Sequence, residues 1–151
     1  MTTTITLPHD PAAESAALGA CLLEPERVMP IFRDILRTSD LYDPNHRLIY
    51  SAMLDMFSVG KPIDTLTLAR QTKLAATELD KIMEACPTWT HGQHYAEQVI
   101  EASRKRHLAE LATTISEQAQ NGQASAEIMA DIRHPGRAGR VRPCRGRPGR
   151  H

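Results

Sequence analysis

The segment Tyr42–Asp64, YDPNHRLIYSAMLDMFSVGKPID, constrains the fold most, because it carries a start signal and a stop signal for one helix. Asp43 before Pro44 predicts an N-cap and a proline in the first turn, where the missing N–H breaks no hydrogen bond. Gly60 predicts the end of the helix, and Asp64 is placed to cap the next one. Between these signals, apolar residues at helical spacing predict one buried face: Ile49, Ala52, Met53, Met56 and Phe57.

The remainder of the folded chain also has helical patterns, and no segment shows the sustained period-two alternation of a strand. We therefore predict an all-α fold. Asp10 before a proline predicts a second capped start, and Gly19 within that helix predicts a close helix–helix contact. Thr77 with Asp80 predicts a capping box. Pro30 is expected either in the first turn of its helix or ahead of a later start.

The longest helical pattern runs from about Gly92 to Gln120, and Gly122 followed by Ser125 predicts a turn into a returning helix. We predict a flexible arm over residues 1–9 and a compact helical globule followed by a long αα-hairpin. The domain covers residues 10–133 and the hairpin about 92–133. An apolar stripe that extends beyond a compact globule needs a second surface to cover it, and a subunit interface is the natural candidate. Its predicted members are Val99, Leu108, Leu111, Ile115, Ile128, Met129 and Ile132.

Charge is divided sharply along the chain, although 18 basic and 18 acidic residues balance overall. Residues 134–151 contain six arginines and no acid, so the remaining 12 basic residues face all 18 acids. The body is therefore near −6 and the tail near +6, which argues against broad, non-specific DNA binding by the folded part. Arg104, Lys105 and Arg106 form its one basic run. They predict a solvated helix face, or alternatively a contact with an acidic partner surface or with DNA.

The tail, residues 134–151, is rich in Arg, Gly and Pro and lacks periodicity, so we predict that it is disordered. Three interpretations remain open. The tail is a basic arm that binds nucleic acid, an uncleaved or cloning-derived extension, or the product of a frameshift. The abrupt loss of helical pattern favours the frameshift.

Cysteines and histidines give little sign of chemistry. Cys21, Cys86 and Cys144 have no paired spacing and are expected to be reduced, the first two being buried. Cys86 lies near two histidines, but their spacing fits no standard zinc pattern, and we expect no metal site. We expect His46 to be structural, because no nucleophile or acid is arranged around it in sequence.

Five segments together resemble the N-terminal domain of DnaB-type replicative DNA helicases over about residues 7–132. The opening LPHDPAAESAALGACLLEPERV places Leu18–Gly19 and Leu22–Leu23 at family positions, although Glu14–Ser15–Ala16 stands where the family usually has a second acid. DLYDPNHRLIYSAM is similar to the family's most recognisable helix, and GKPID follows as its next landmark. ACPTWTHGQHYAEQVIEASRKRHL and SAEIMADI resemble the two helices of the family's hairpin.

This resemblance implies an assembly domain in DNA replication. In the family the domain is helical, forms dimers through its hairpin, closes a ring of six as a trimer of dimers, and offers the surface on which primase docks. The implied partners are a second copy, primase, and a helicase motor domain or loader. ATP and Mg belong to the family's C-terminal RecA-like motor.

No phosphate-binding loop of the form G-x-x-x-x-G-K-[ST] occurs in these 151 residues. The one Gly–Lys pair, Gly60–Lys61, is followed by proline. We therefore expect no catalytic residue, cofactor or metal in this chain, and interpret it as a truncated or frameshifted helicase. The alternative is a nucleic-acid-binding adaptor that acts through its arginine-rich tail. No apolar run approaches the ~20 residues that span a bilayer, so we expect no membrane contact and a cytoplasmic location.

Overall fold

The computed structural model describes residues 7–133, and all regular structure in that range is helical, as predicted. Residues 1–6 of the predicted arm, the tail at 134–151 and Cys144 lie outside the described residues. Two short 3₁₀ helices, Thr38–Asp40 and Trp89–His91, occur between the main elements. The α-helices are α1 Pro11–Leu23, α2 Pro25–Ile35, α3 Pro44–Ser58, α4 Thr65–Thr72, α5 Ala76–Glu84, α6 Gly92–Gln120 and α7 Ser125–Arg133.

Three aspartates start helices as the sequence predicts. Asp10 accepts a hydrogen bond from the Ala13 amide at 3.0 Å and caps α1. Asp43 accepts from the Asn45 amide at 2.8 Å at the start of α3. Asp64 accepts from the amide of the third residue of α4 at 2.8 Å. Each carboxylate satisfies a backbone donor that has no partner within its own helix.

Gly60 ends α3 through a Schellman motif. Its φ of +73° is a left-handed conformation that side chains with a Cβ rarely adopt. This turn brings the Lys61 amide to the Met56 carbonyl oxygen at 2.9 Å. Gly122 has a φ of +77° and ends α6 in the same way, with the Gln123 amide 3.2 Å from the Gln118 carbonyl oxygen. Both stop signals are therefore confirmed.

Several predicted helix starts were wrong. Pro30 lies inside α2, which begins at Pro25. The helix continues past Pro30, at the loss of one backbone donor, because Met29 before it and Phe32 after it pack into the core. The N-cap of α5 is Ala75, without a side-chain hydrogen bond, so the capping box predicted at Thr77 does not form. Ser125 is the first residue of α7 rather than its N-cap.

Residues 7–108 form one compact unit in which α1 is the central element. Most of α1 is buried, and it packs against α2, α3 and α5. The closest approach is at Gly19, where an added Cβ would stand 2.5 Å from the carbonyl oxygen of Ile82 and 2.7 Å from Cβ of Cys86. The predicted close contact at Gly19 is confirmed, and α5 is the helix that makes it.

Residues 109–133 belong to a second compact unit, and the division falls within α6. This unit contains the C-terminal part of α6, the turn at Gly122 and α7. Across residues 7–133, no helix is both long enough and apolar enough to cross a membrane.

Candidate interaction site

The second unit presents apolar side chains to solvent on α7. Met129 is 49% exposed and Ile132 is 38% exposed. They are three residues apart and therefore lie on the same side of the helix. Leu111 and Ile115, on α6, are half-buried, and Ile128 is buried. Of the predicted interface residues in this unit, Met129 and Ile132 are therefore available to a partner. The other three are partly or fully packed within the unit.

The two interface residues predicted in the first unit differ. Leu108 is 63% exposed, so its side chain is accessible. Val99 is 1% exposed and belongs to the hydrophobic core, so including it in a subunit interface was wrong. A side chain that is already out of water has no surface left to bury against a second copy. The buried face of α6 instead runs through Gly92, Ala96, Val99, Ala102 and Arg106.

Of the three residues predicted to form a basic contact surface, Arg106 is not available to a partner. Arg104 and Lys105 are exposed, but Arg106 is only 6% exposed. Its guanidinium donates to the carbonyl oxygen of Pro8 at 3.1 Å and to that of Asp40 at 2.7 Å. Arg106 therefore connects parts of its own domain and cannot reach a partner or DNA. The sequence did contain a sign that Arg106 is buried. Arg106 lies seven residues after Val99, and this spacing places both on the same face of α6.

A buried carboxylate, Glu14, organises the start of α3. Glu14 Oε2 accepts from the Tyr42 amide at 3.0 Å, and Oε1 accepts from the Asp43 amide at 3.2 Å. Oε1 also lies 3.0 Å from Nδ1 of His46, which is itself buried. Because an ionised carboxylate only accepts, Nδ1 carries the hydrogen in this bond. The histidine that we expected to be structural is thus fixed by a residue from α1.

The charge on Glu14 is maintained by this environment. Burial alone would raise the pKa of Glu14, but the hydrogen bonds from His46, Tyr42 and Asp43 outweigh burial and lower it. The carboxylate also lies at the N-terminus of α3, where the helix dipole favours negative charge. Glu14 was not among the predicted site residues. The sequence did contain a sign that Glu14 is buried. It lies on the same face of α1 as the apolar residues Ala17, Leu18 and Cys21.

Other chemistry finds little support among the described residues. No group of three or more His, Cys, Asp or Glu side chains within residues 7–133 has a geometry suited to a metal ion. Cys21 and Cys86 are buried free thiols, as expected. Burial raises the pKa of both thiols, and proximity to Cys86 raises that of Cys21 further. A reactive cysteine requires the opposite shift, so neither thiol is a candidate nucleophile.

With this fold and these surfaces described, the chain can be compared with known proteins. Residues 6–101 match the family model of the DnaB-like helicase N terminal domain. The chain belongs to this family. A replicative DNA helicase DnaB from Leifsonia xyli is 34% identical over 120 residues, which is 74% of this chain and 26% of that protein. The replicative DNA helicase DnaC of Bacillus subtilis is 33% identical over 135 residues, which is 83% of this chain and 28% of that protein.

Solved structures agree with the family assignment. The crystal structure of the N-terminal domain of DnaB helicase from Mycobacterium tuberculosis aligns with a TM-score of 0.76 at 29% identity, covering 85% of this chain and 96% of that one. A second structure, described as that of a DnaB-like replicative helicase and its interactions with primase, shares the fold with a TM-score of 0.66 at 23% identity. That alignment covers 82% of this chain and 31% of that one. The chain thus spans about a quarter of the length of its curated relatives.

Proposed function

We propose that this DnaB-like domain is an assembly and docking module for DNA replication, which joins copies of itself and binds primase. Its membership of the family supports this function, as do the names of its relatives, which are replicative DNA helicases. One relative of the same fold is described by its interactions with primase. The observation that carries the proposal is the exposed apolar side of α7, formed by Met129 and Ile132.

In a dimer, the apolar side of α7 from one copy can pack against the same apolar side of the second copy. Removing apolar surface from water contributes about 25 cal/mol per Å², before the costs of association are subtracted. A two-fold dimer places the same patch on both copies, so each exposed residue is used twice. We propose a dimer formed through α7 and, by the family's pattern, a trimer of dimers that closes a ring of six.

Charge substitution on α7 tests the proposed dimer. Met129→Glu leaves an unpaired charge in the buried interface, and we expect it to weaken dimerisation by about 100-fold or more. Leu66→Glu is the matched control, because Leu66 is a similarly exposed apolar residue on α4. Sedimentation equilibrium across a concentration series measures both dissociation constants.

The outcome of that experiment is decisive for assembly. A wild-type protein that stays monomeric at high concentration contradicts the dimer, and equal dissociation by both variants contradicts the role of α7. The change Leu111→Asp is also expected to dissociate the dimer. However, Leu111 is half-buried, so its replacement also perturbs the packing of its own unit. Met129 is therefore the sharper site.

Primase docking requires a separate measurement. We expect saturable binding when the fluorescently labelled chain is titrated with the cognate primase, followed by anisotropy. The titration is performed on wild type and on Met129→Glu. Equal affinity indicates that primase docks on one copy, and weaker binding by the variant indicates that it docks on a dimer. Absence of binding by a dimeric wild type would contradict the docking function while leaving assembly intact.

We further propose that these 151 residues supply no catalysis, and that ATP and Mg act in a helicase motor domain. The sequence of the chain contains no phosphate-binding loop, the segment whose backbone amides and lysine hold the nucleotide phosphates in P-loop ATPases. The motor domain or a loader is a further proposed partner. We place this function in the cytoplasm. Phosphate release from ATP above the level of a buffer blank would contradict this assignment.

A second candidate function is nucleic-acid binding through the arginine-rich residues 134–151, which lie outside the described residues. The observation that favours it is their six arginines without an acid. This function predicts that binding to single-stranded RNA or DNA falls steeply with salt and disappears when residues 135–151 are removed. Arg104 and Lys105 are exposed and provide a test of the folded part. If Arg104→Gln with Lys105→Gln abolishes binding while the tail is intact, the tail is not the site.

A further inference from the structure

The N-terminal strap, which we define as residues Leu7–Asp10, precedes α1 and has no regular secondary structure. Its last residue, Asp10, is fixed by its cap on α1. Two contacts hold the rest of the strap to the domain. The carbonyl oxygen of Pro8 accepts from Arg106 at 3.1 Å, and the ring of His9 stacks on that of Tyr42 with centroids 4.5 Å apart and planes 24° from parallel.

Arg106 connects both contacts through a single guanidinium. Its Cζ lies 5.3 Å from the centroid of the Tyr42 ring, within the range of a cation–π interaction. Its second nitrogen donates to the carbonyl oxygen of Asp40 at 2.7 Å. The Asp40 carboxylate accepts in turn from the Ser103 hydroxyl at 2.9 Å. One side chain on α6 thus holds the strap and the segment before α3 together.

The strap does not pack tightly on α6. A cavity of about 350 Å³ lies between them, lined by strap residues Pro8, His9 and Asp10 and by Gln98, Glu101, Ala102 and Lys105 of α6. Leu7 and Pro8 are half-buried and His9 is exposed. The strap therefore has few buried contacts with the domain. Segments with few buried apolar contacts open at a much lower free energy than the core.

We propose that the strap is a releasable cover, and that Arg106 is the latch that holds it closed over α6 and the Tyr42 ring. Release requires breaking one hydrogen bond and one ring stack, while α1 and its cap stay in place. The open state exposes the face of α6 around Ala102, together with the inner face of Tyr42. The segment before α3 remains attached through the bond from Arg106 to Asp40.

Magnetic resonance on the full chain tests the latch. Stacking on Tyr42 shifts the ring protons of His9 upfield, and Arg106→Gln is expected to move them downfield, toward the values of a free Leu7–Asp10 peptide. The heteronuclear NOE of the His9 amide should fall with them. Loss of a charge-assisted hydrogen bond should raise the open population about tenfold or more. Arg104→Gln, an exposed position two residues earlier, is the control and should leave both signals unchanged.

A second variant separates latch opening from misfolding. His9→Ala removes the stack at an exposed position, so the domain should keep its thermal unfolding midpoint, while the Leu7 amide NOE falls. Unchanged His9 shifts and NOE values in a folded Arg106→Gln protein would overturn the proposal. An unchanged Leu7 NOE in the folded double variant Arg106→Gln with His9→Ala would also overturn it, because the strap would then be held by contacts other than those described.

Discussion

Replacing Glu14 is expected to be among the most destabilising single changes in this domain. Glu14→Ala leaves three donors without their acceptor: the buried Nδ1 of His46 and the part-buried amides of Tyr42 and Asp43. An unsatisfied buried polar group costs about 1–3 kcal/mol. Because water can enter the space left by the side chain, we expect a total loss of about 3–5 kcal/mol. Domains of this size are stable by roughly 5–15 kcal/mol, so the effect is large.

The isosteric change Glu14→Gln isolates the role of the charge. It keeps the shape but provides one acceptor oxygen and turns an NH₂ group toward a backbone donor, so we expect a loss of about 1–3 kcal/mol at neutral pH. The pKa of Glu14 is lowered in the folded protein. A carboxylate of this kind contributes its stability above its ordinary pKa of about 4.3 and loses it as pH falls through the folded pKa. The difference between wild type and Glu14→Gln should therefore shrink below about pH 4.

Urea unfolding followed by circular dichroism, repeated between acidic and neutral pH, measures this effect. Glu101→Gln is the control, because Glu101 is exposed on α6, and its change should stay within about 0.5 kcal/mol. The reasoning is refuted if Glu14→Gln is as stable as wild type at neutral pH. It is also refuted if the loss is the same at every pH, since the carboxylate's charge would then contribute nothing.

Three further changes test the packing and capping of the first unit. Gly19→Ala should destabilise by about 1–3 kcal/mol, because its new Cβ meets the Ile82 carbonyl oxygen at 2.5 Å, and a wild-type urea midpoint would contradict that contact. Tyr50→Phe should lower the thermal midpoint by several degrees, since the buried hydroxyl donates to the Leu36 carbonyl oxygen at 2.9 Å; an unchanged midpoint in calorimetry would exclude this role. Asp64→Ala should cost about 0.5–2 kcal/mol in urea unfolding while Asp64→Asn, which still caps, costs less; equal losses would show that capping is not the cause.

Local chemistry explains why much of the fold could be predicted from the sequence. The signals at Asp43, Gly60 and Asp64 act within a few residues, through bonds that the chain makes with itself in any context. Gly19 was informative for a related reason, because a glycine inside a helix is unfavourable unless something approaches it closely. The incorrect helix start at Pro30 arose where packing into the core outweighs local preference.

The candidate sites were harder to predict, because they depend on residues far apart in the chain. Glu14 lies 32 residues before His46, and Arg106 lies 66 residues after Asp40. Helical spacing does reveal which side of a helix is apolar, but it does not reveal what covers that side. Val99 and Met129 were therefore grouped in one stripe, although the fold itself covers Val99 and leaves Met129 exposed.

Four of the five segments that carry the family resemblance lie in the first unit, whereas the residues proposed to bind a partner lie on α7, in the fifth. Among the residues that carry the resemblance, Leu23 and Tyr42 are exposed, whereas Leu18, Gly19, His46 and Ile49 are buried. The buried four contribute to the packing of α1 and α3. The exposed side chain of Met129 lies beyond residue 101, where the family match ends. Packing of α1 and α3 places no restriction on an exposed side chain of α7. The choice of partner can therefore change by substitutions on α7 while the domain stays folded and recognisable.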